Sequence, residues 1–120
     1  MDQDRPLDHS RLLNRLYAAF NRRDLTTLLS ALDPDVLWPN GWEGGTVRGH
    51  QQVRDYWTRQ WAEIDPTVRP VAFDVEDDGR ISVTVRQVVR DQAGGVIAEG
   101  TVRHVYRFVG DLVADMEIQG

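Results

Sequence analysis

Hydrophobic residues recur every three or four positions through the first half of the chain, which is the spacing of amphipathic helices. The segment DHSRLLNRLYAAFNRRD predicts a first helix over residues 8–24, and Asp8 or Ser10 can accept hydrogen bonds from its free first-turn amides. The apolar stripe of this helix consists of Leu12, Leu13, Leu16, Tyr17 and Phe20. One face of the helix is therefore expected to pack against a core.

Two further helices are predicted in the same half. Asp24 is placed to cap the short segment LTTLLSAL, which Asp33-Pro34 should end because proline disfavours helix in the residue before it. A short strand over residues 35–38 follows, and a third helix begins after GTVRGH, with His50 near its start and Pro66 beyond its end. The apolar face of this third helix consists of Val53, Trp57, Trp61 and Ile64.

From about residue 68 the pattern changes to the two-residue alternation of strands. Four β-branched segments, VRPVAFDVE, RISVTVRQVVRD, GVIAEGTVRHVYRFV and LVADMEIQ, are separated by the turns DDG, QAGG and VGD. The predicted order is thus α-α-β-α-β-β-β-β. Helices followed by a long antiparallel meander predict an α+β fold in which the helices cover one face of the sheet.

The third long strand indicates which of its residues should face the helices. One alternating set is mostly apolar: Val96, Ala98, Gly100, Val102, His104, Tyr106 and Phe108. The other set, predicted to face outward, is Ile97, Glu99, Thr101, Arg103, Val105 and Arg107. His104 is the one strongly polar residue in the inward set.

Composition excludes several kinds of chemistry. The 120 residues contain no cysteine, which removes disulfides, thiolate nucleophiles and cysteine metal sites. All 14 basic residues are arginine, so Schiff-base chemistry and a phosphate-binding P-loop are also excluded. A net charge of −5 without a basic stripe argues against a nucleic-acid partner. No apolar run has the length of a membrane span and the N-terminus does not resemble a signal peptide, so a cytoplasmic location is expected.

His104 is the first candidate for chemistry or recognition, because an imidazole on an apolar wall can donate or accept a hydrogen bond near neutral pH. The alternative is a buried histidine that is hydrogen-bonded to a backbone carbonyl, to Tyr17 or to Tyr106. Gln87 interrupts the apolar face of its strand in a similar way, so its amide either orients a ligand or pairs across the sheet.

The tryptophans divide into two groups. Trp57 and Trp61 have helical spacing, which is more typical of a core than of a binding site. Trp38 and Trp42 flank the turn in VLWPNGW and fit the mouth of a pocket better, since small-molecule sites combine apolar walls with a few polar groups.

Motifs for metals and for hydrolysis are incomplete. DVEDDG begins like a calcium loop, but Val85 occupies the position that needs a bidentate glutamate. The three histidines lack metal-ligand spacing and no serine lies in a nucleophile elbow, so neither a metal nor a cofactor is expected. Asp115 and Glu117 lie on the polar face of the last strand, where they are expected to face solvent or a second copy.

Three segments in order resemble the SnoaL-like and ketosteroid-isomerase-like branch of the nuclear-transport-factor-two superfamily. They are LYAAFNRRDLTTLLSALDPDVLW, GxxxVRDYW and RHVYRFVGDLVADMEI, and the likeness extends over residues ~10–118. The resemblance implies one domain over residues 1–120, with a cone-shaped curved antiparallel sheet wrapped around three N-terminal helices and enclosing a pocket. It also implies a homodimer that forms through the outer sheet face. The same resemblance implies that the side chain of His104 points into the cavity.

The catalytic residues of ketosteroid isomerases do not carry over. The resemblance places their general base at Trp38, their helix tyrosine at Leu16 and their protonated aspartate at His104. Steroid isomerisation by that mechanism is therefore not expected. An indole cannot abstract a carbon-bound proton, and a leucine cannot donate a hydrogen bond to an oxyanion.

Three functions remain after the resemblance. The first is binding of a small hydrophobic or aromatic molecule. The second is a cyclase, isomerase, hydrolase or dehydratase of a small carbonyl compound, with His104 as general acid–base, oriented by Tyr17. The third is a non-catalytic dimeric interaction module whose pocket is filled by its own tryptophans. An isolated histidine in the pocket would favour binding, and one hydrogen-bonded to a carboxylate or tyrosine would favour catalysis. The predicted ligand-binding residues are Tyr17, Phe20, Trp38, Trp42, Trp57, Gln87, Tyr106 and Met116.

Overall fold

The computed structural model describes residues 5–119 of the chain, with side chains from residue 9 onward. Three helices and one six-stranded curved sheet form the α+β fold that the sequence predicts. The elements are α1 (Arg5–Arg22), α2 (Leu25–Ser30), β1 (Leu32–Pro39), β2 (Thr46–Arg48), α3 (Gly49–Glu63), β3 (Asp65–Val75), β4 (Ile81–Arg90), β5 (Val96–Val109) and β6 (Leu112–Gln119). The strand order is β2-β1-β6-β5-β4-β3.

The helix boundaries differ in detail from the predicted ones. α1 begins at Arg5, so Ser10 lies inside the helix and cannot cap it, and the side chain of Asp8 lies outside the described residues. α2 ends at Ser30 rather than continuing to Leu32. The predicted cap of α2 is confirmed, because the Asp24 side chain accepts a hydrogen bond from the backbone N–H of Thr27 at 3.2 Å.

Pro34 and Pro66 lie inside strands rather than between elements. Pro34 is part of β1, where the register against β6 shifts between Leu32 and Leu37. Pro66 is part of β3, an edge strand, and an edge tolerates a residue that lacks a backbone N–H. The prediction of a strand over residues 35–38 is therefore too short, and β2 was not predicted because three residues carry no alternation to detect.

The sheet is antiparallel except where β1 runs parallel to β6. β4 and β5 have the predicted faces at their centres, with Val83, Val85 and Tyr106 buried against the helices. The prediction is wrong near the start of β5. A register shift between Val89 and Arg90 changes the alternation there, so the side chain of Ile97 lies at the cavity.

The inner face of the sheet and the three helices form one hydrophobic core. Trp57, Tyr106 and Tyr17 are its largest side chains with 2% exposure or less. Between residues 5 and 119, no helix is both long and apolar enough to cross a membrane.

Candidate ligand pocket

A cavity of about 520 Å³ lies between the inner face of the sheet and the helices. Its volume falls within the range of roughly 300–1,000 Å³ typical of small-molecule sites. Its wall includes all nine candidate residues: Tyr17, Phe20, Trp38, Trp42, Trp57, Gln87, His104, Tyr106 and Met116. The sequence therefore identified residues that the fold brings together, although their roles stay predictions.

None of the described side chains that line the cavity carries a charge at neutral pH. The remaining wall residues are Leu16, Pro39, Gly41, Tyr56, Gln60, Ile64, Pro66, Val68, Val89, Ile97, Val102 and Ile118. A charged ligand group would lose its hydration here without finding a counter-charge, and this loss is costly. The wall is thus suited to an uncharged molecule.

A hydrogen-bonded chain of three side chains forms the polar part of the wall. The hydroxyl of Tyr106 donates to the hydroxyl oxygen of Tyr17 at 2.8 Å, and the Tyr17 hydroxyl lies 2.8 Å from Nδ1 of His104. β5 supplies His104 and Tyr106 two residues apart, so both point to the inner face, and α1 supplies Tyr17.

The direction of this chain assigns the histidine tautomer. Since Tyr106 donates to Tyr17, the proton of Tyr17 is free to be donated to Nδ1 of His104. Reversing both bonds would leave the Tyr106 proton without an acceptor among the described residues, at a buried position. His104 therefore carries its own proton on Nε2, which has no hydrogen-bond partner between residues 9 and 119 and is a free donor at the cavity.

Burial keeps this network uncharged. Desolvation lowers the pKa of His104 from 6.5 to about 4, so the imidazole is neutral at pH 7. Desolvation also raises the pKa of Tyr17 well above 10, as it does the pKa of Tyr106, so both phenols keep their protons. The predicted alternative in which Tyr17 satisfies the histidine is thus realised at Nδ1, while Nε2 stays available.

Aromatic rings surround the network. Trp38 packs edge-on against Trp57 with ring centroids 5.3 Å apart, and it lies 6.2 Å from Tyr106. Phe20 meets Trp57 edge-on at 5.9 Å. Trp57 and Trp61 are stacked at 6.1 Å, and Trp61 is partly buried against the core without lining the cavity. Since a cavity remains between these rings, the tryptophans do not fill the pocket themselves.

The loop over residues 40–45 places Trp42 at the rim, where it is 37% exposed. The buried side chain of Asn40 holds the loop by accepting from the backbone N–H of Glu43 at 2.6 Å and donating to its carboxylate at 2.9 Å. The Glu43 carboxylate also pairs with Arg59 of α3 at 2.9 Å. The rim loop is therefore connected to α3 by an ion pair.

Sequence reasoning missed two polar wall residues, Tyr56 and Gln60. The Gln60 side chain donates to the Tyr56 hydroxyl at 3.1 Å, and burial raises the pKa of Tyr56. The available signal was their spacing of four residues on α3, which places a tyrosine and an amide side by side on a helix face.

Gln87 does not pair across the sheet, which was one of its two predicted roles. Its side-chain amide lines the cavity, is half-buried and has no hydrogen-bond partner among residues 9–119. In register it lies between Val68 of β3 and Gly100 of β5, so its neighbours across the sheet are apolar.

The other polar residues considered in the sequence form contacts outside the cavity. Asp115 pairs with Arg107 at 2.6 Å and Glu117 lies 3.7 Å from Arg80, both on the outer face. His50 is the second residue of α3, close to its predicted place at the helix start, and its Nε2 lies 2.9 Å from the backbone oxygen of Leu32. In the part of the chain that the structure describes, no three His, Asp or Glu side chains are grouped closely enough to hold a metal.

The family is shown by a match to the SnoaL-like domain over residues 13–116, so the chain belongs to the SnoaL-like family. No curated protein matches the sequence.

Solved structures share the fold over most of the chain. One is a protein of unknown function from Burkholderia pseudomallei, described as nuclear-transport-factor-two-like. It is 29% identical, with a TM-score of 0.81 over 93% of this chain and 89% of its own. The protein TerC, co-crystallised with polyporic acid, is 24% identical with a TM-score of 0.80 over 92% and 89%. A Mycobacterium tuberculosis protein in complex with estradiol-17β-hemisuccinate is 15% identical with a TM-score of 0.79 over 92% of each chain. At these last two identities the likeness shows the fold alone.

Proposed function

We propose that this chain binds an uncharged hydrophobic or aromatic molecule and that Nε2–H of His104 donates a hydrogen bond to an oxygen atom of it. The observation that carries the proposal is a free imidazole donor in a wall without charged side chains. Burying the ligand against the aromatic wall would supply most of the affinity, at roughly 25 cal/mol per Å² of apolar surface. The hydrogen bond would supply its orientation.

The ligands of two fold relatives share the ring systems of this class but also carry acidic groups, so they support the cyclic part of the proposal and not the absence of charge. Polyporic acid and estradiol-17β-hemisuccinate both combine ring systems with oxygen functions. They support a pocket for cyclic, oxygen-bearing molecules in this fold, and the neutral donor of His104 is suited to a ketone, quinone or hydroxyl oxygen.

The test is native mass spectrometry of freshly purified protein, compared with the same sample after denaturation. A non-covalent adduct that is lost on denaturation identifies the ligand. We expect His104→Ala to lower its affinity about tenfold, the effect of one hydrogen bond, whereas His9→Ala, outside the cavity, should leave it unchanged. Unchanged affinity in both His104→Ala and Trp38→Ala would contradict the proposal, because both residues line the cavity.

A second candidate function is catalysis on a small carbonyl compound, since the hydrogen bond between Tyr17 and His104 meets the criterion set for it. In the tautomer assigned above, His104 would act as an acid or stabilise a developing oxyanion, because Nε2 already carries a proton. No described carboxylate lines the cavity, so a proton abstraction would also depend on His104. Binding is placed first for this reason.

Turnover of candidate carbonyl compounds distinguishes the two functions. For an enzyme with His104 as general acid–base, His104→Ala should lower turnover by roughly a hundredfold or more. A change of a few-fold would exclude that role and leave binding.

The proposal includes a single domain over residues 1–120, a cytoplasmic location and a homodimer formed through the outer sheet face. Support for the dimer comes from the family resemblance, since the arginines and carboxylates of that face pair within the chain. Sedimentation at several protein concentrations tests it. A monomer at all concentrations would contradict it.

A further inference from the structure

The first half of the free edge of β3 is closed to a further strand. Pro66 and Pro70 have no backbone N–H, and Val68, halfway between them, is bonded to a side chain of α1. The amide of Asn21 donates to the Val68 oxygen at 2.7 Å and accepts from the Val68 N–H at 2.9 Å. Alternate residues of an antiparallel strand point their backbone groups to the same side, so residues 66, 68 and 70 all face the free edge, and none has a free N–H there.

The second half of the same edge is open. After the register shift between Pro70 and Ala72, Phe73 and Val75 lie opposite the same alternate residues of β4 as Pro70 does, so their N–H and C=O groups also point away from β4. No turn or loop between residues 5 and 119 bonds these groups. Val71 and Val75 are 55% and 59% exposed, so apolar side chains accompany the open backbone. Such an edge is a template for another strand.

The residues of this open half are complementary to a second copy of themselves. In an antiparallel pair with a two-fold axis through Phe73, each Val71 lies opposite Val75 of the other copy, and the two Phe73 side chains are neighbours at the axis. Asp74 then lies opposite Ala72, so no like charges are directly opposed. A symmetric pair through one surface patch is the commonest way in which two identical chains associate.

Two charged residues flank the open half and match in the same arrangement. Arg69 and Asp77 are each four residues from Phe73, on opposite sides, so the two-fold axis brings Arg69 of each copy beside Asp77 of the other. Both side chains are exposed, and neither has an ion pair with a described residue. They are roughly 25 Å apart along one extended chain, too far to pair within a copy. Opposite charges across neighbouring strands favour this register.

We propose that residues 71–75 are an interface through which two copies of this chain pair their sheets edge to edge, antiparallel about Phe73. The N–H and C=O of each Phe73 bond to those of the other, and two six-stranded sheets become one continuous sheet. This interface is separate from the outer sheet face and leaves that face free. It is far smaller than the roughly 20–30 residues a side of a stable interface, so the pair forms reversibly with concentration.

The experiment exchanges the flanking charges between copies. Arg69→Asp alone and Asp77→Arg alone each place like charges together at both ends of the pair, so each should weaken association by about tenfold or more. In an equimolar mixture, the copy with two negative charges meets the copy with two positive charges, so both ion pairs return. Sedimentation velocity should therefore show a larger assembly in the mixture than in either variant alone.

A second pair of variants tests the open edge itself. Val75→Lys places a charge on the edge and should weaken association by about tenfold or more. Val109→Lys is the matched control, because Val109 is 54% exposed at the end of β5, away from the β3 edge. Its association should equal that of the wild type.

Amide hydrogen exchange in the wild type tests the register. The N–H of Phe73 should exchange more slowly as the protein concentration rises, because the other copy bonds it. The N–H of Asp74 faces β4 and should exchange at the same rate throughout.

The outcomes decide the proposal without reference to the cavity. Recovery of association in the mixture, its loss in Val75→Lys and concentration-dependent protection of Phe73 would support the edge pair. A mixture no larger than its components, association unchanged in Val75→Lys, or a Phe73 amide that exchanges equally at every concentration would overturn it. None of these results depends on ligand binding, so the function proposed above stands or fails separately.

Discussion

The polar side chains on the two faces of strands β4, β5 and β6 differ in charge and in whether they have a partner. On the outer face, Arg107 pairs with Asp115, and Arg103 donates to Ser82 at 3.1 Å and lies 3.3 Å from Glu76. On the inner face the polar groups are uncharged, and Nε2 of His104 and the amide of Gln87 have no partner among the described residues.

This difference indicates where function lies. A polar group that already has its partner has no need of a ligand, whereas an unpartnered group in apolar surroundings gains from one. By this reasoning Asp115 and Glu117, which pair with arginines, are not candidates for recognition. The two unpartnered residues of the inner face, His104 and Gln87, are the candidates. Each prediction below tests this contrast between the faces.

The largest effect is expected from the aromatic cluster around Trp57, which lies on α3 and lines the cavity. Trp57 is 1% exposed and touches Phe20 and Trp38, so Trp57→Ala should lower the free energy of unfolding by about 3–5 kcal/mol. Trp42→Ala at the rim should cost about 1 kcal/mol or less. Urea denaturation measures both, and equal losses would mean that the rim and the core are not distinct.

The fold could be predicted because hydrophobic spacing reports burial directly. The stripe on α1 and the alternation in β4 identified these elements, and the alternation in β5 identified the inner positions of His104 and Tyr106. Spacing could not locate β2 or reveal the register shift that brings Ile97 to the cavity, because both depend on pairing between strands rather than on local sequence.

For the site, the sequence predicted which residues line the cavity but not the hydrogen bonds between them. His104 and Gln87 were identified as polar interruptions of apolar faces, which is a local signal. The direction of the hydrogen bonds from Tyr106 to Tyr17 to His104 depends on where α1 rests on the sheet. The apolar neighbours of Gln87 across the sheet, Val68 and Gly100, depend on the register between strands, which no single strand encodes.

The next largest effect is a pH dependence specific to the inner face. Burial lowers the pKa of His104 from 6.5 to about 4 in the folded protein, so between these values the unfolded chain binds a proton that the folded chain does not. The free energy of unfolding should therefore fall by about 3 kcal/mol as the pH falls from 6.5 to 4.

The variant His104→Gln isolates this contribution, because it keeps an acceptor for Tyr17 and does not titrate. Urea denaturation of both proteins across this pH range measures the difference, in which the surface carboxylates and other histidines cancel. If the free energy of unfolding fell equally with pH in both proteins, the pKa of His104 would not be lowered in the folded state, and the prediction would be wrong.

A smaller effect tests the direction of the tyrosine chain. Tyr17→Phe leaves the Tyr106 hydroxyl without an acceptor and Nδ1 of His104 without a donor, so we expect a loss of about 2 kcal/mol in the free energy of unfolding. Tyr106→Phe leaves Tyr17 still donating to His104 and should cost about 1 kcal/mol or less. Adding Tyr106→Phe to Tyr17→Phe should recover part of the loss. The opposite ranking would reverse the chain and move the free proton away from Nε2.

The smallest effect is expected on the outer face. Arg107 and Asp115 form an ion pair whose arginine is 52% exposed, and such pairs contribute about 0–1 kcal/mol because water and salt screen them. Arg107→Ala should therefore change the free energy of unfolding by about 0.5 kcal/mol, and added salt should shrink the difference. The measurement is repeated at two protein concentrations, since a dimer through this face would make the loss depend on concentration. A loss as large as that of Tyr17→Phe at both concentrations would remove the contrast between the faces.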